Sequence, residues 1–367
     1  MAGESPRENP MPPAEPPAAA PAVETPPPPP AGGWRAYFRR WVTIRDEPGM
    51  AERLLAGLLC VLLVLLVWLL LTAGAPEDRL VDNVTLPSPR ETVTSFPSLW
   101  FDRALARSTL WSLGRVVGGF LLAAAVAVPL GVSAGSFRRL QAFLRPLSIF
   151  GRNIPIAALI PLTLIWFGLG ESQKVMFIFL ACVAFVFFDS ASAVNGVPDR
   201  YLDTAYTLGA RFVPRHGLYW ALGLGLAYAV VLAGAYRLVS EAPGEGTASW
   251  TVRLLCVGLA GFAVGLALWF PILSFQAVRK VLLPLALPDI VNSLRLLFGL
   301  AFGYIMLAEV INAERGLGGI IIVSQRRGPR EHIYLCLILI ALLAFAIDRA
   351  ILYAQKRLFP YRATGGG

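Results

Sequence analysis

Eight apolar stretches of about twenty residues each take up nearly half of this sequence, and a chain built that way has few places to fold other than a bilayer. They run near Leu54–Ala73, Leu113–Ala134, Leu144–Phe167, Val175–Val194, Leu218–Val239, Val252–Leu273, Ile290–Asn312 and Ile333–Tyr353. A helix of that length crosses the hydrocarbon core while satisfying its own backbone groups. Composition agrees: the chain is 56% hydrophobic and 15% charged, with a mean hydropathy of +0.63. The sequence therefore predicts an all-α membrane protein with about eight transmembrane helices.

Charge then sets the orientation. The formal net charge is +9, but the basic residues do not gather into a patch that would bind nucleic acid. They flank the apolar runs, as the positive-inside rule expects. Ser136–Arg145, Asp199–His216, Gln276–Lys280 and Gln355–Arg362 are basic and fall on one side. Gly168–Lys174 and Ser240–Thr251 fall on the other, carry little positive charge, and leave both termini cytoplasmic. Ala313–His332 is basic yet lands outside, a single exception to an overall bias. Residues 1–33 are rich in Pro and Ala and lack an apolar h-region, so they read as a disordered cytoplasmic tail and not a cleavable signal peptide. Residues 34–53, with arginines and aromatics before the first span, read as an interfacial anchor.

Little here suggests chemistry. Cys60, Cys182, Cys256 and Cys336 lie singly inside apolar runs, and His216 and His332 are far apart, so neither a metal site nor a catalytic centre is expected. No G-x-x-x-x-G-K-[ST] loop cradles a phosphate. The chain is not expected to be an enzyme or to bind a cofactor itself.

The most informative polar stretch is "LDTAYTLGARFVPRH", Leu202–His216. Pro198 suits a first helical turn, and Asp199 and Asp203 put negative charge near its positive end. Leu202, Ala205, Leu208 and Phe212 form a short apolar stripe, and Gly209 allows a bend or a close neighbour. Such a helix is too short and polar to span and should lie along the cytoplasmic face. "LDTAYTLGA" resembles the coupling loop, E-A-A-x-x-x-G, of permease subunits of binding-protein-dependent ABC importers. Asp203, Thr204, Ala205 and Gly209 stand at its marked positions, with Leu208 and Ala210 in the same segment. The V-x-L-P-x-A-L-P pattern that follows in that family is present as Val281, Leu283, Pro284, Ala286, Leu287 and Pro288, some seventy residues late. Leu86–Phe96, Ser112–Gly135, Ile154–Val175, Leu294–Glu309 and Leu307–Gln325 are similar to the nitrate/sulfonate/taurine branch in the same order.

The resemblance implies the permease subunit of an ATP-driven importer for a small anionic solute in a bacterial inner membrane. It also implies a homodimer, two ATP-binding subunits that hold ATP and Mg, and an external solute-binding protein. The alternatives are an ABC permease for another solute class and a secondary transporter. Joining Phe212 to Gln276 restores a family-like loop, so residues 213–275 read as an inserted transmembrane hairpin. The permease domain then comprises 54–212 and 276–362, with 363–367 a flexible tail. Pro284 and Pro288 are expected to break and restart the helix between loop and span. Arg115, Asp189, Arg295 and Glu309 are charges inside span-like segments, expected to be interhelical contacts or to face the translocation path. Gly131, Gly135 and the pair Gly299/Gly303 are expected to mark close helix packing.

Overall fold

The computed structural model describes residues 49–74, 79–83, 85–239, 247–311 and 315–360. The Pro/Ala-rich tail, residues 34–48 of the expected anchor, residues 240–246 of the expected exterior loop and the tail 363–367 lie outside the described residues. The chain divides into two units, 1–66 and 67–367. Helix α1, Met50–Leu71, is apolar from Leu54 onward and buries none of its side chains, as a lipid-facing span should.

In the second unit, α2 (Pro89–Thr94) and α3 (Phe96–Phe101) are short helices between the first two spans. Ser88 caps α2 with a full capping box to Glu91. The Arg79 guanidinium, and then the Ser88 backbone N–H, hold the Glu91 carboxyl down at about 2. Then come α4 (Leu105–Ser136), α5 (Arg138–Asn153), α6 (Leu159–Phe167) and α7 (Glu171–Asn195). After the short α8 (Asp199–Thr207) come α9 (Pro214–Val239), α10 (Thr247–Ser274), α11 (Leu283–Ile311), α12 (Leu317–Arg327) and α13 (Glu331–Leu358). Among the described residues, seven helices are long and apolar enough to cross a membrane.

The expected span over Leu144–Phe167 is not one continuous helix. α5 and the helical stretch Ile156–Phe167 meet at 87°. Pro155 is the cause, because it removes an N–H and pushes Ile154 to extended backbone, φ −67° and ψ 128°. Taken as one bent span, the pair brings the total to eight.

The core is a three-helix contact of α4, α7 and α11, built on Val116, Phe120, Phe177, Ile178, Phe302 and Ile305. Lipid is as apolar as these side chains, so shape fit rather than water exclusion must hold the helices together. Glycine supplies the fit. A Cβ on Gly131 would lie 2.7 Å from the Phe187 carbonyl, one on Gly135 2.8 Å from that of Ala191, and one on Gly119 2.7 Å from that of Val175. The expectation for Gly299 and Gly303 fails within this chain: nothing lies within 4 Å of a Cβ at either.

Helices α9 and α10 pack along a glycine seam of their own. A Cβ on Gly265 would meet the Gly225 Cα at 2.9 Å, and one on Gly261 would meet the Tyr228 carbonyl at 3.0 Å. Their two ends are stitched together. Phe212 and Phe275 form an isolated antiparallel bridge. The Val213 N–H donates to the Ser274 carbonyl at 2.8 Å, the Gln276 N–H to the Arg211 carbonyl at 3.2 Å, and the phenyl rings stand 4.8 Å apart. The chain thus leaves and re-enters the bundle at one point, so the flanking segments can be rejoined where they already meet, with the loss of the contacts that Ile272 and Trp269 make with the bundle. Deleting Val213–Phe275 and joining Phe212 to Gln276 should give a protein that still inserts and purifies as a single species, with a thermal midpoint below the parent's. Aggregation or failure to reach the membrane fraction would show that the hairpin is integral to the fold.

Candidate functional site

Two groups of polar residues stand out, one at each end of the bundle. The first is the α8 turn. Pro198 is the N-cap and Asp199 opens the helix. Ala205 is buried, and Leu202 packs on the apolar cluster of Val197, Val278 and Leu282. The helix ends in a Schellman motif: the Gly209 N–H donates to the Tyr206 carbonyl at 3.0 Å and the Ala210 N–H to the Ala205 carbonyl at 2.9 Å. That motif needs a left-handed residue, and Gly209 has φ +85° with open space around it. Gly209 is therefore a bend and not a close-packing site. The stripe divides as well: Leu208 is 83% exposed and Phe212 is exposed, whereas Leu202 and Ala205 face the bundle. Asp203, Thr204, Leu208 and Gly209 present an outward face around the turn.

Pro284 and Pro288 do not break the chain as expected. Pro284 follows directly on a π-helical turn, inside a helical run that continues from Gln276 to Ile311, and Pro288 lies buried further along the same helix. The irregularity sits earlier, in a π-helical turn at Val278–Leu282. Gln355 of α13 donates through Nε2 to the Pro288 carbonyl at 3.0 Å.

The second group is an ion network, buried at Arg115, Lys174 and Glu309 and reaching the surface at Glu171. Arg115 on α4 donates through Nε and Nη2 to the two oxygens of Glu171, at 2.5 and 2.7 Å, a bidentate pair with the first residue of α7. Through Nη1 it donates to Glu309 of α11 at 2.6 Å and to the Arg315 carbonyl at 2.7 Å. Glu309 is fully buried and also accepts from the Ser112 hydroxyl, at 2.7 and 2.9 Å, and from the Gly318 N–H at 2.8 Å. Lys174 stands 3.4 Å from Glu171. Two cations and two carboxylates cancel, which is the condition for tolerating charge in a low-dielectric interior. Gly316 and Gly318 let the chain close over the pair. A Cβ on Gly316, whose φ is +123°, would lie 2.6 Å from both Arg115 Nη1 and Glu309 Oε1.

The structure therefore joins Arg115 and Glu309 as interhelical partners. It places the other two candidate charges apart. Arg295 pairs with Asp348 of α13 at 3.4 Å and with Asn292 at 3.2 Å. Asp189 lies half-buried on α7, about 27 Å of helix from Glu171. Its neighbour Arg152 stacks 3.9 Å over the Phe188 ring. Ser112, Glu171, Gly316 and Gly318 were missed from the sequence. Ser112 and Arg115, three apart on one helix face, were the available signal. Among the described residues, no cluster of three or more His, Cys, Asp or Glu could hold a metal ion.

Comparison with known proteins adds the following. A family described as "Binding-protein-dependent transport system inner membrane component" matches residues 127–248 and 272–360. The unmatched interval, 249–271, lies within α10 and is narrower than the 213–275 read from the sequence. MJ0413 of Methanocaldococcus jannaschii, assigned as an ABC transporter permease, is 27% identical over 71% of this chain and 74% of its own. The taurine transport system permease protein TauC of Escherichia coli K12 is 25% identical over 77% of this chain and 82% of its own. SsuC of Bacillus subtilis strain 168, assigned to aliphatic sulfonates transport, is 21% identical over 88% of this chain and 94% of its own.

Proposed function

The chain belongs to the family of binding-protein-dependent transport system inner membrane components, and from that premise we propose that it is the membrane-spanning subunit of an ATP-driven importer for a small anionic solute. The α8 turn carries this reading: a short helix end whose bend is fixed by a left-handed glycine and whose outward face carries Asp203, Thr204, Leu208 and Gly209. A fixed, protruding turn with an exposed leucine suits insertion into a cleft on a moving partner. ATP and Mg would be held by that partner, since this sequence has no phosphate-cradling loop. Two permease copies, two ATP-binding subunits and one external binding protein complete the assembly. Both termini and the α8 turn lie on the ATP-binding side, as the loop charges favour. The relatives named for taurine and aliphatic sulfonates support a sulfonate or similar oxyanion as solute. The Arg115–Glu171–Glu309 network joins α4, α7 and α11 at the opposite end of the bundle and serves as a structural lock.

Reconstitution in vesicles with an ATP-binding subunit and a sulfonate-loaded binding protein tests the whole reading. ATP turnover should rise several-fold only when ATP and binding protein are supplied from opposite faces. Solute accumulation that ignores ATP and collapses with an ion gradient would instead make the protein a secondary transporter.

A further inference from the structure

One backbone atom of α4 lacks its helical partner, and the α9–α10 hairpin supplies one. Pro129 lies inside α4. Having no N–H, it leaves the carbonyl of Ala125, four residues earlier, without the usual donor. The hydroxyl of Tyr228, on α9, donates to that carbonyl. The indole N–H of Trp269, on α10, donates to the Tyr228 oxygen at 3.3 Å. Both helices of the hairpin thus converge on a single unsatisfied acceptor. Trp269 packs beside it on the same apolar cluster as Val128.

A hydroxyl in an apolar helix contact is costly unless paired, so phenylalanine would serve better if packing were all that position required. The hydroxyl's value lies in the acceptor it meets. Lower down, the same two helices lead back to the bridge of Phe212 and Phe275, beyond which lie the C-terminal end of α8 on one strand of chain and the π-helical turn Val278–Leu282 on the other. Pro214 and Tyr228 are separated by about 21 Å of helix.

We propose that Tyr228 is a positioning residue that docks the hairpin onto the carbonyl freed by Pro129, tying the C-terminal side of the α8 turn to α4. Its consequence for transport rests on the coupling role proposed for that turn; the docking does not.

Amide hydrogen exchange of the full-length protein in lipid nanodiscs, without partner subunits, reads the docking. Tyr228→Phe should speed exchange in residues 122–128 and 221–232 by about three- to twentyfold, the range reached by interhelical hydrogen bonds in bilayers. Pro129→Ala returns a donor to the Ala125 carbonyl. In that background, adding Tyr228→Phe should change exchange by less than about twofold. No change in the single variant, or an equal change in both backgrounds, would overturn the proposal. A turn variant such as Gly209→Trp leaves this exchange as it is whether or not the turn couples, so the two readings fail separately.

Discussion

Replacing Arg115 with methionine is expected to cost the folded protein about 3–5 kcal/mol, the usual penalty for removing one member of a buried ion pair. The loss exceeds that of a surface pair because Glu309 is fully enclosed and is left with only Ser112 and one backbone N–H as partners. Arg115→Lys should fall between, since an ammonium cannot reproduce the fork that meets both oxygens of Glu171. Glu309→Gln should be milder than Arg115→Met, because the Arg115–Glu171 pair survives it. Thermal unfolding in detergent, followed by monodispersity, gives the order directly. A methionine variant that melts with the parent would show that the network contributes little.

Gly209→Trp is expected to leave the protein folded and inserted but to reduce solute-stimulated ATP turnover in the assembled complex to its basal level. No atom lies within 4 Å of where a Cβ would stand, so the indole would project outward. The left-handed backbone adds about 1–2 kcal/mol of strain for any residue with a Cβ, which the fold can absorb. Gly209→Ala carries that strain without the bulk and should retain most coupling. Full coupling in the tryptophan variant would remove the turn from the ATPase contact.

Hydropathy made most of the spans readable, because a lipid-facing helix must be apolar wherever it crosses. The same signal hid the α5–α6 bend. Residues on both sides of Pro155 are apolar, and a hydropathy window records length without direction. The α8 glycine was readable only as a bend or a close-packing site, because both uses call for a residue without a Cβ. Pro284 and Pro288 misled because a proline signals a missing N–H, not a broken helix: the run from Val278 to Ile311 stays helical through both, with the π-helical turn lying just before Pro284. Arg115 and Glu309 were visible singly as charges where charge is expensive. Their partnership was not, because it depends on α4, α7 and α11 meeting, and on Glu171, which the sequence shows only as an ordinary acid opening a helix.

The glycine contacts between α4 and α7 limit how this molecule can move. Near Gly119 and again near Gly131 and Gly135, a Cβ on one helix would come within 3 Å of the other's backbone carbonyls. Axial slippage by even one residue would drive side chains into those carbonyls, and the Arg115–Glu171 fork pins the register at one end. The pair therefore behaves as a single stiff lever. Any stroke delivered to it arrives at the far end as a tilt, with its amplitude set by lever length and not by the give of the contact.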